Sequence, residues 1–356
     1  MTNPRIATLQ ARLVAEEADA ALLSHLPDIR WACGFTGSNG VLLVRRQDAH
    51  FITDGRYATQ AQAEVQGAQC HTSGYDLIGY AAEAGLFENT QRIIFQADYL
   101  SYAALQTFQE KLPQLVWLPR TGWLNELRAV KDTQALKAIQ KAQTISETVF
   151  TEILTLITPG ISERELAAEI VYRHLRLGAE RMAFDPIVAS GPHSAQPHAR
   201  PTERRLRRGD VIVLDFGCYV DGYASDMTRT VVLGPLSDEV AYVYQCVAAA
   251  QEAALAKARA GIPAAELDHA ARSTLEARGL GAYFTHSLGH GVGLEVHEWP
   301  RIAAQNEAPL PSGTVITIEP GVYLPERFGV RLEDLIMLTP EGYLNFTHTP
   351  KTLYVL

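Results

Sequence analysis

The chain has 356 residues and a formal net charge of −9, and 47% of its residues are hydrophobic. That length exceeds one average domain and points to two, with apolar residues enough for a sizeable core. An acidic balance with no dense basic run argues against nucleic acid or an anionic membrane as a partner.

The opening segment, "MTNPRIATLQARLVAEEADA", is charged and amphipathic and has no apolar h-region, so no signal peptide is expected. No apolar run reaches the length of a membrane span. The four cysteines, Cys33, Cys70, Cys218 and Cys246, are scattered without a C-x-x-C pair. That fits a reduced, cytoplasmic protein better than a disulfide framework.

In chain order, "IATLQARLVAEEADAAL" has helical spacing. "GVLLVRR" and "AHFITD" read as two strands joined by a polar turn. "TQAQAEV" reads as a helix, "RIIFQ" as a strand and "SYAALQTFQEKL" as a helix. Together these make a small α/β domain ending near "PRTGWLN". A long helix follows over "DTQALKAIQKAQTISETVFTEILTLI" and stops at Pro159-Gly160. Ser162 and Glu165 then stand in capping-box spacing and open a second helix, to about Gly178. "DPIVAS" leads into "DVIVLDFGCYVDGYASDMTRTVVL", two strands around the Val220-Asp221-Gly222 turn. The helices "SDEVAYVYQCVAAAQEAALAKARA" and "PAAELDHAARSTLEARG" come next. The strand pair "TVITIEPGVYL" and "GVRLEDLIML" closes the pattern. Helix, helix and hairpin thus occur twice, which suggests an internal duplication.

The chemistry gathers on the hairpins. Asp215 and Asp226 are placed symmetrically about the first turn and are expected to face each other across adjacent strands, where bare carboxylates repel. Glu319 and Glu333 are symmetric about residue 326 in the second hairpin. An ionised glutamate in an apolar strand is costly unless paired or bound to metal. Glu333 also has a bland partner in Arg331, on the same strand face. Between the hairpins lies "HSLGHGVGLEVHEWP", rich in glycine and histidine; histidine is the commonest metal ligand. His290 with four carboxylates makes an oxygen-rich set that suits Mn²⁺, Fe²⁺, Co²⁺ or Zn²⁺ in a two-metal site. His174 and His269 fall in helices and read as surface or satisfied side chains.

These motifs, "LDFGCYVDGYASDMTRT", "HSLGHGVGLEVHEWP", "TIEPGVY" and "VRLED", resemble those of the pita-bread metallopeptidases: aminopeptidase P, prolidase and, more distantly, methionine aminopeptidase. The resemblance covers residues 125–350. It implies an α/β creatinase-like N-terminal domain at 1–125 and an α+β pita-bread catalytic domain at 126–356. It implies that Asp215, Asp226, His290, Glu319 and Glu333 bind two divalent metal ions, Mn²⁺ being the first expectation and Co²⁺ or Zn²⁺ the alternatives. By the same resemblance Asp226 and Glu333 bridge the ions, Asp215 serves one of them, and His290 and Glu319 serve the other. His198, in "ASGPHSAQPHARPT", would bind substrate. His297 would touch the scissile carbonyl, and Glu319 would be the general base. Arg331 is typical of the proline-specific branch. His193 and Trp299 depart from the family pattern at positions that are not ligands.

The expected reaction is hydrolysis of the bond between an N-terminal residue and a following proline, by a homodimeric enzyme of the aminopeptidase P type. The alternative is an Xaa-Pro dipeptidase (prolidase), in which Arg301, directly after "VHEWP", would bind the dipeptide's carboxylate. "GFTGSNG" and "FITDGRY" favour the first, so an Ala-Pro-Ala peptide is expected to be cleaved better than Ala-Pro. Two more distant readings are an inactive binding module of the same fold and a metal-free creatinase-type hydrolase. The intact ligand set argues against both.

Overall fold

The structure is a computed structural model and describes residues 3–356. The described residues form two compact units, which divide between Arg128 and Ala129.

The first unit opens with α1 (Pro4–Ala15), capped by the Asn3 side chain. Helical spacing carries on into "ADAAL", but Ala20–Leu23 form strand β1, buried along its whole length. A fully buried strand is a short apolar run, which periodicity alone does not separate from helix. The unit continues with α2 (Leu26–Cys33), β2 (Val41–Arg45), β3 (Ala49–Asp54), α3 (Ala58–Glu64), β4 (Gln69–Ser73), α4 (Leu77–Glu83), β5 (Arg92–Gln96), α5 (Tyr102–Lys111) and β6 (Val116–Arg120). The six strands make one sheet in the order β4-β3-β2-β1-β5-β6. Leu22, Leu43, Ile52, Ile78 and Ile93 form part of its core.

A short helix, α6 (Asn125–Ala129), precedes the long α7 (Thr133–Ile153) and then α8 (Glu163–Arg176). Ser162 and Glu165 complete the capping box at the start of α8, each satisfying the other's backbone N–H. The strands that follow are β7 (Arg181–Met182), β8 (Ile187–Ser190), β9 (Asp210–Phe216), β10 (Cys218–Val220), β11 (Tyr223–Ala224) and β12 (Met227–Leu233). Helices α9 (Asp238–Leu255) and α10 (Ala264–Glu276) come next. The chain then runs through β13 (Gly289–Gly291), β14 (Glu298–Ile302), β15 (Val315–Ile318), β16 (Gly321–Leu324), β17 (Phe328–Arg331), β18 (Asp334–Thr339), β19 (Gly342–Asn345) and β20 (Tyr354–Val355). One sheet has the order β20-β12-β9-β8 and another β14-β13-β15-β18-β19. Helices α7 and α8 bury Val149, Phe150 and Ile170 with Leu214 and Val231 of the first. Helices α9 and α10 bury Val247 and Leu267 with Ile316 and Ile336 of the second. Two helices backing each sheet is the repeat that the helix-helix-hairpin pattern suggested. Among the described residues, no helix is long and apolar enough to cross a membrane.

Register fixes where the acids land. The β9–β12 ladder pairs Asp215 with Thr228, and β10–β11 pairs Val220 with Tyr223. The turn is therefore centred between Asp221 and Gly222, one residue later than the symmetry of the two aspartates suggests. Asp226 is a diagonal neighbour of Asp215 on the same face, not its direct partner. The strands come so close at this point that a Cβ on Gly217 would lie 1.9 Å from the Ser225 carbonyl oxygen. In the second hairpin, β16–β17 and β15–β18 share one register, symmetric about residue 326 as expected. Glu319 and Glu333 stand at the seam between the two ladders.

Candidate metal centre and active site

Ligand-capable atoms of Asp226, His290 and Glu333 lie within 4.8 Å of one another. His290 Nε2 is 3.6 Å from Asp226 Oδ2 and 3.3 Å from Glu319 Oε1. The His290 ring is aimed by its other nitrogen, since Nδ1–H donates to the Gly291 carbonyl at 3.1 Å. That leaves Nε2 to face the acids, the arrangement a ligating imidazole needs. Thr317 sets the next layer: its hydroxyl accepts from the His290 backbone N–H and donates to Glu319 Oε1, both at 3.1 Å.

Asp215 reaches the cluster beside Arg331. Arg331 Nη2 donates to Asp215 Oδ2 at 2.6 Å, Nη1 to the Tyr323 hydroxyl at 2.6 Å and Nε to Thr228 Oγ1 at 3.1 Å. Arg331 therefore pairs with Asp215 and not with Glu333, its neighbour on the strand. Glu333 instead accepts from Thr228 Oγ1 at 2.7 Å. The two hairpins are also joined by backbone, with Glu333 N–H donating to Thr228 O at 3.1 Å. Buried Arg229 donates to Glu333 O at 2.6 Å and to Asp334 Oδ1 at 2.8 Å.

The protein leaves these acids short of partners. Asp215 Oδ1 and Asp226 Oδ1 are buried without a hydrogen-bond partner among the described residues. Burial and mutual repulsion push Asp226 and Glu333 well above the usual carboxylate range. Burial raises Asp215 too, against the opposing charge of Arg331. Burial opposes charge on His290, yet the Glu319 hydrogen bond and the Glu319 and Asp226 charges lift it to about 9. Protons are thus drawn to where positive charge is wanted. Orphaned buried oxygens, like charges in contact and a hard-oxygen donor set with one imidazole all fit divalent metal ions.

Around the acids stand the imidazoles. The His297 ring centroid is 4.2 Å from that of His290, edge-on. His198 is exposed on its loop, within electrostatic reach of His286 and His297. That loop is held by buried Glu163, which accepts from the backbone and hydroxyl of Ser190, from both again of Thr202, and from His193. His193 is therefore a loop anchor. Arg301 is exposed and sits opposite His290 in the β13–β14 ladder, on the same sheet face. The sequence reading missed His286 and Tyr323. His286 Nδ1–H donates to Ser287 O at 2.8 Å, so its Nε2 accepts from the Tyr323 hydroxyl at 3.0 Å. Burial lowers the pKa of His286, in keeping with this neutral form. Tyr323 was findable: in "GVYL" it shares a strand face with Gly321, the register partner of Arg331.

A sequence model of metallopeptidase family M24 matches residues 137–340, and one of the creatinase/prolidase N-terminal domain matches residues 5–130. The chain is 40% identical to the Xaa-Pro dipeptidase of Pyrococcus furiosus over 268 residues, which cover 75% of this chain and 77% of that one. It matches the structure of an Xaa-Pro dipeptidase from Bacillus anthracis with a TM-score of 0.96 and 36% identity over 99% of both chains. An X-Pro aminopeptidase from Thermotoga maritima matches with a TM-score of 0.91 and 36% identity, over 98% of this chain and 99% of that one. Fold and site together define a hydrolase: a pita-bread metallopeptidase with a creatinase-like N-terminal domain. The chain belongs to metallopeptidase family M24, whose members use divalent metal ions.

Proposed function

We propose that this protein is an Xaa-Pro dipeptidase using two divalent metal ions. The observation that carries the proposal is the convergence of Asp226, His290 and Glu333 within 4.8 Å, with Asp215 and Glu319 alongside. Asp215, Asp226, His290, Glu319 and Glu333 would hold the ions. When bound, the ions would supply Lewis acidity to the scissile carbonyl and to the attacking water. Glu319 takes the proton of that water as general base. His297 donates to the oxyanion, and His198 positions the substrate. Arg331 holds Asp215 and links it through Tyr323 to His286. Proline offers no N–H and a fixed φ, so recognition of the second residue rests on shape.

Dipeptide preference is supported by the names of two of the three relatives and by Arg301. Its guanidinium would meet the free carboxylate just past the proline, in bidentate fashion. These weigh more than the aminopeptidase P-like "GFTGSNG" and "FITDGRY", on which the opposite preference rested. With Mn²⁺ added, Ala-Pro is expected to show a higher kcat/KM than Ala-Pro-Ala, and Arg301→Ala to harm the dipeptide more. A preference for the tripeptide, unchanged by that substitution, returns the protein to the aminopeptidase P type.

A further inference from the structure

Lys131 and Glu298 form an ion pair apart from the acid cluster. Lys131 Nζ is 2.6 Å from Glu298 Oε1, and the two side chains are 2% and 6% exposed. Lys131 is fixed from behind as well. Its N–H donates to Gly313 O at 3.1 Å, Nζ donates to Ala129 O at 3.0 Å, and Val130 bridges Thr314. The Glu298 carboxylate covers Gly293, where a Cβ would lie 2.4 Å from Oε1. Hydrophobic pairs of similar volume stabilise a fold as well as buried charges do, or better. A pair so fully buried therefore points to a role in geometry.

That geometry is local. In the β13–β14 ladder Gly289 faces Ile302 and His290 faces Arg301, but Gly291 faces Glu298. The register slips, and Trp299 and Pro300 bulge out between the two matched pairs. Bulges of this kind re-aim side chains beside active sites. Gly291 leaves the room required, since a Cβ there would lie 2.3 Å from the Trp299 carbonyl oxygen. His297 enters the bulge and Arg301 leaves it. We infer that Lys131 and Glu298 are a positioning pair, which sets the 298–300 bulge and so places His297 and Arg301 against the peptide. The inference rests on the peptidase reading above.

The test replaces both charges at once, Lys131→Met with Glu298→Met, so that neither is left buried alone. Metal content and thermal midpoint are expected to stay near wild type. The kcat for Ala-Pro is expected to fall by roughly 10- to 100-fold, the scale of a small misplacement of reacting groups, with KM rising. In a His297→Ala background the same replacement should lower kcat by less than about threefold, because the group it positions is already gone. Wild-type kcat and KM in the paired variant overturn the inference. So does a loss that multiplies in full onto that of His297→Ala. Should the methionine pair fold poorly, Lys131→Gln with Glu298→Gln is read by the same comparisons. Wild-type protein separates the two claims: no metal-dependent hydrolysis of any Xaa-Pro peptide sinks both, whereas normal wild-type activity with undisturbed variants sinks this one alone.

Discussion

Two side chains that border His290 should behave differently when changed. Asp226 lies 3.6 Å from His290 Nε2 with one oxygen orphaned in the interior. Asp226→Asn is expected to lower metal occupancy and activity together, which elemental analysis of dialysed protein alongside kinetics will show. His297 packs edge-on against His290 and is not one of the five expected metal ligands. His297→Ala is expected to keep its metal and to cut kcat by roughly 10²–10³-fold, the cost of one oxyanion donor. Loss of metal from that variant would mean that its assigned role is wrong. The acids were legible in the sequence because ionised groups in apolar strands demand a reason. Tyr323 was passed over, although the symmetry about residue 326 already placed it on one strand face with Gly321, opposite Arg331. Arg331 was legible as a residue, but its partner was not. Strand spacing offered Glu333, while the fold brings in Asp215 from another hairpin.

At the scale of elements, a buried polar chain ties α7 and α8 to the first hairpin. His174 Nε2 is 3.1 Å from Ser146 Oγ, which is 3.1 Å from Ser225 Oγ, directly before Asp226. Helical position alone left His174 as either a surface or a satisfied residue, and it proves to be satisfied and fully buried. Burial lowers its pKa from 6.5 to about 4, against the hydrogen bond from Nδ1–H to Ile170 O. The unfolded chain therefore takes up a proton below pH 6.5 that the folded chain refuses until about pH 4. Acid pulls the balance toward unfolding across that window, by up to about 2 kcal/mol at pH 5. Denaturant titrations at pH 7 and pH 5 will measure this, and His174→Gln should flatten the difference. The hairpin itself is checked at Gly217, where a Cβ would meet Ser225 O at 1.9 Å. Gly217→Ala is expected to force the strands apart, lowering both thermal stability and metal content. The reading of the first hairpin erred by one residue for a related reason. Symmetry of two side chains cannot distinguish a direct pair from a diagonal one, and a glycine opposite Asp226 is what permits the diagonal.

For the whole molecule, the metal is expected to act on function and stability together. Chelation should abolish hydrolysis of Ala-Pro and lower the thermal midpoint, because an ion that binds only the folded chain stabilises it by mass action. Added Mn²⁺ should restore both, and full activity in protein verified free of metal would end the metallopeptidase mechanism here. Strand β1 read as a continuation of helix, whereas the helices and hairpins of the second unit, and their duplication, were readable from local pattern. The meeting of the two hairpins was not, since Thr228, Arg229 and Thr230 reach across to Arg331, Glu333 and Asp334 through contacts that no window of sequence contains. This stitching also bears on the order in which a ribosome delivers the chain. Asp215 and Asp226 emerge first and must wait for His290, Glu319 and Glu333 before an ion can be held. A chain that ends before His290 lacks three of the five expected ligands, and its two aspartates stay hydrated and screened. Binding of divalent metal at this site is therefore expected only of a chain that has been made through Glu333.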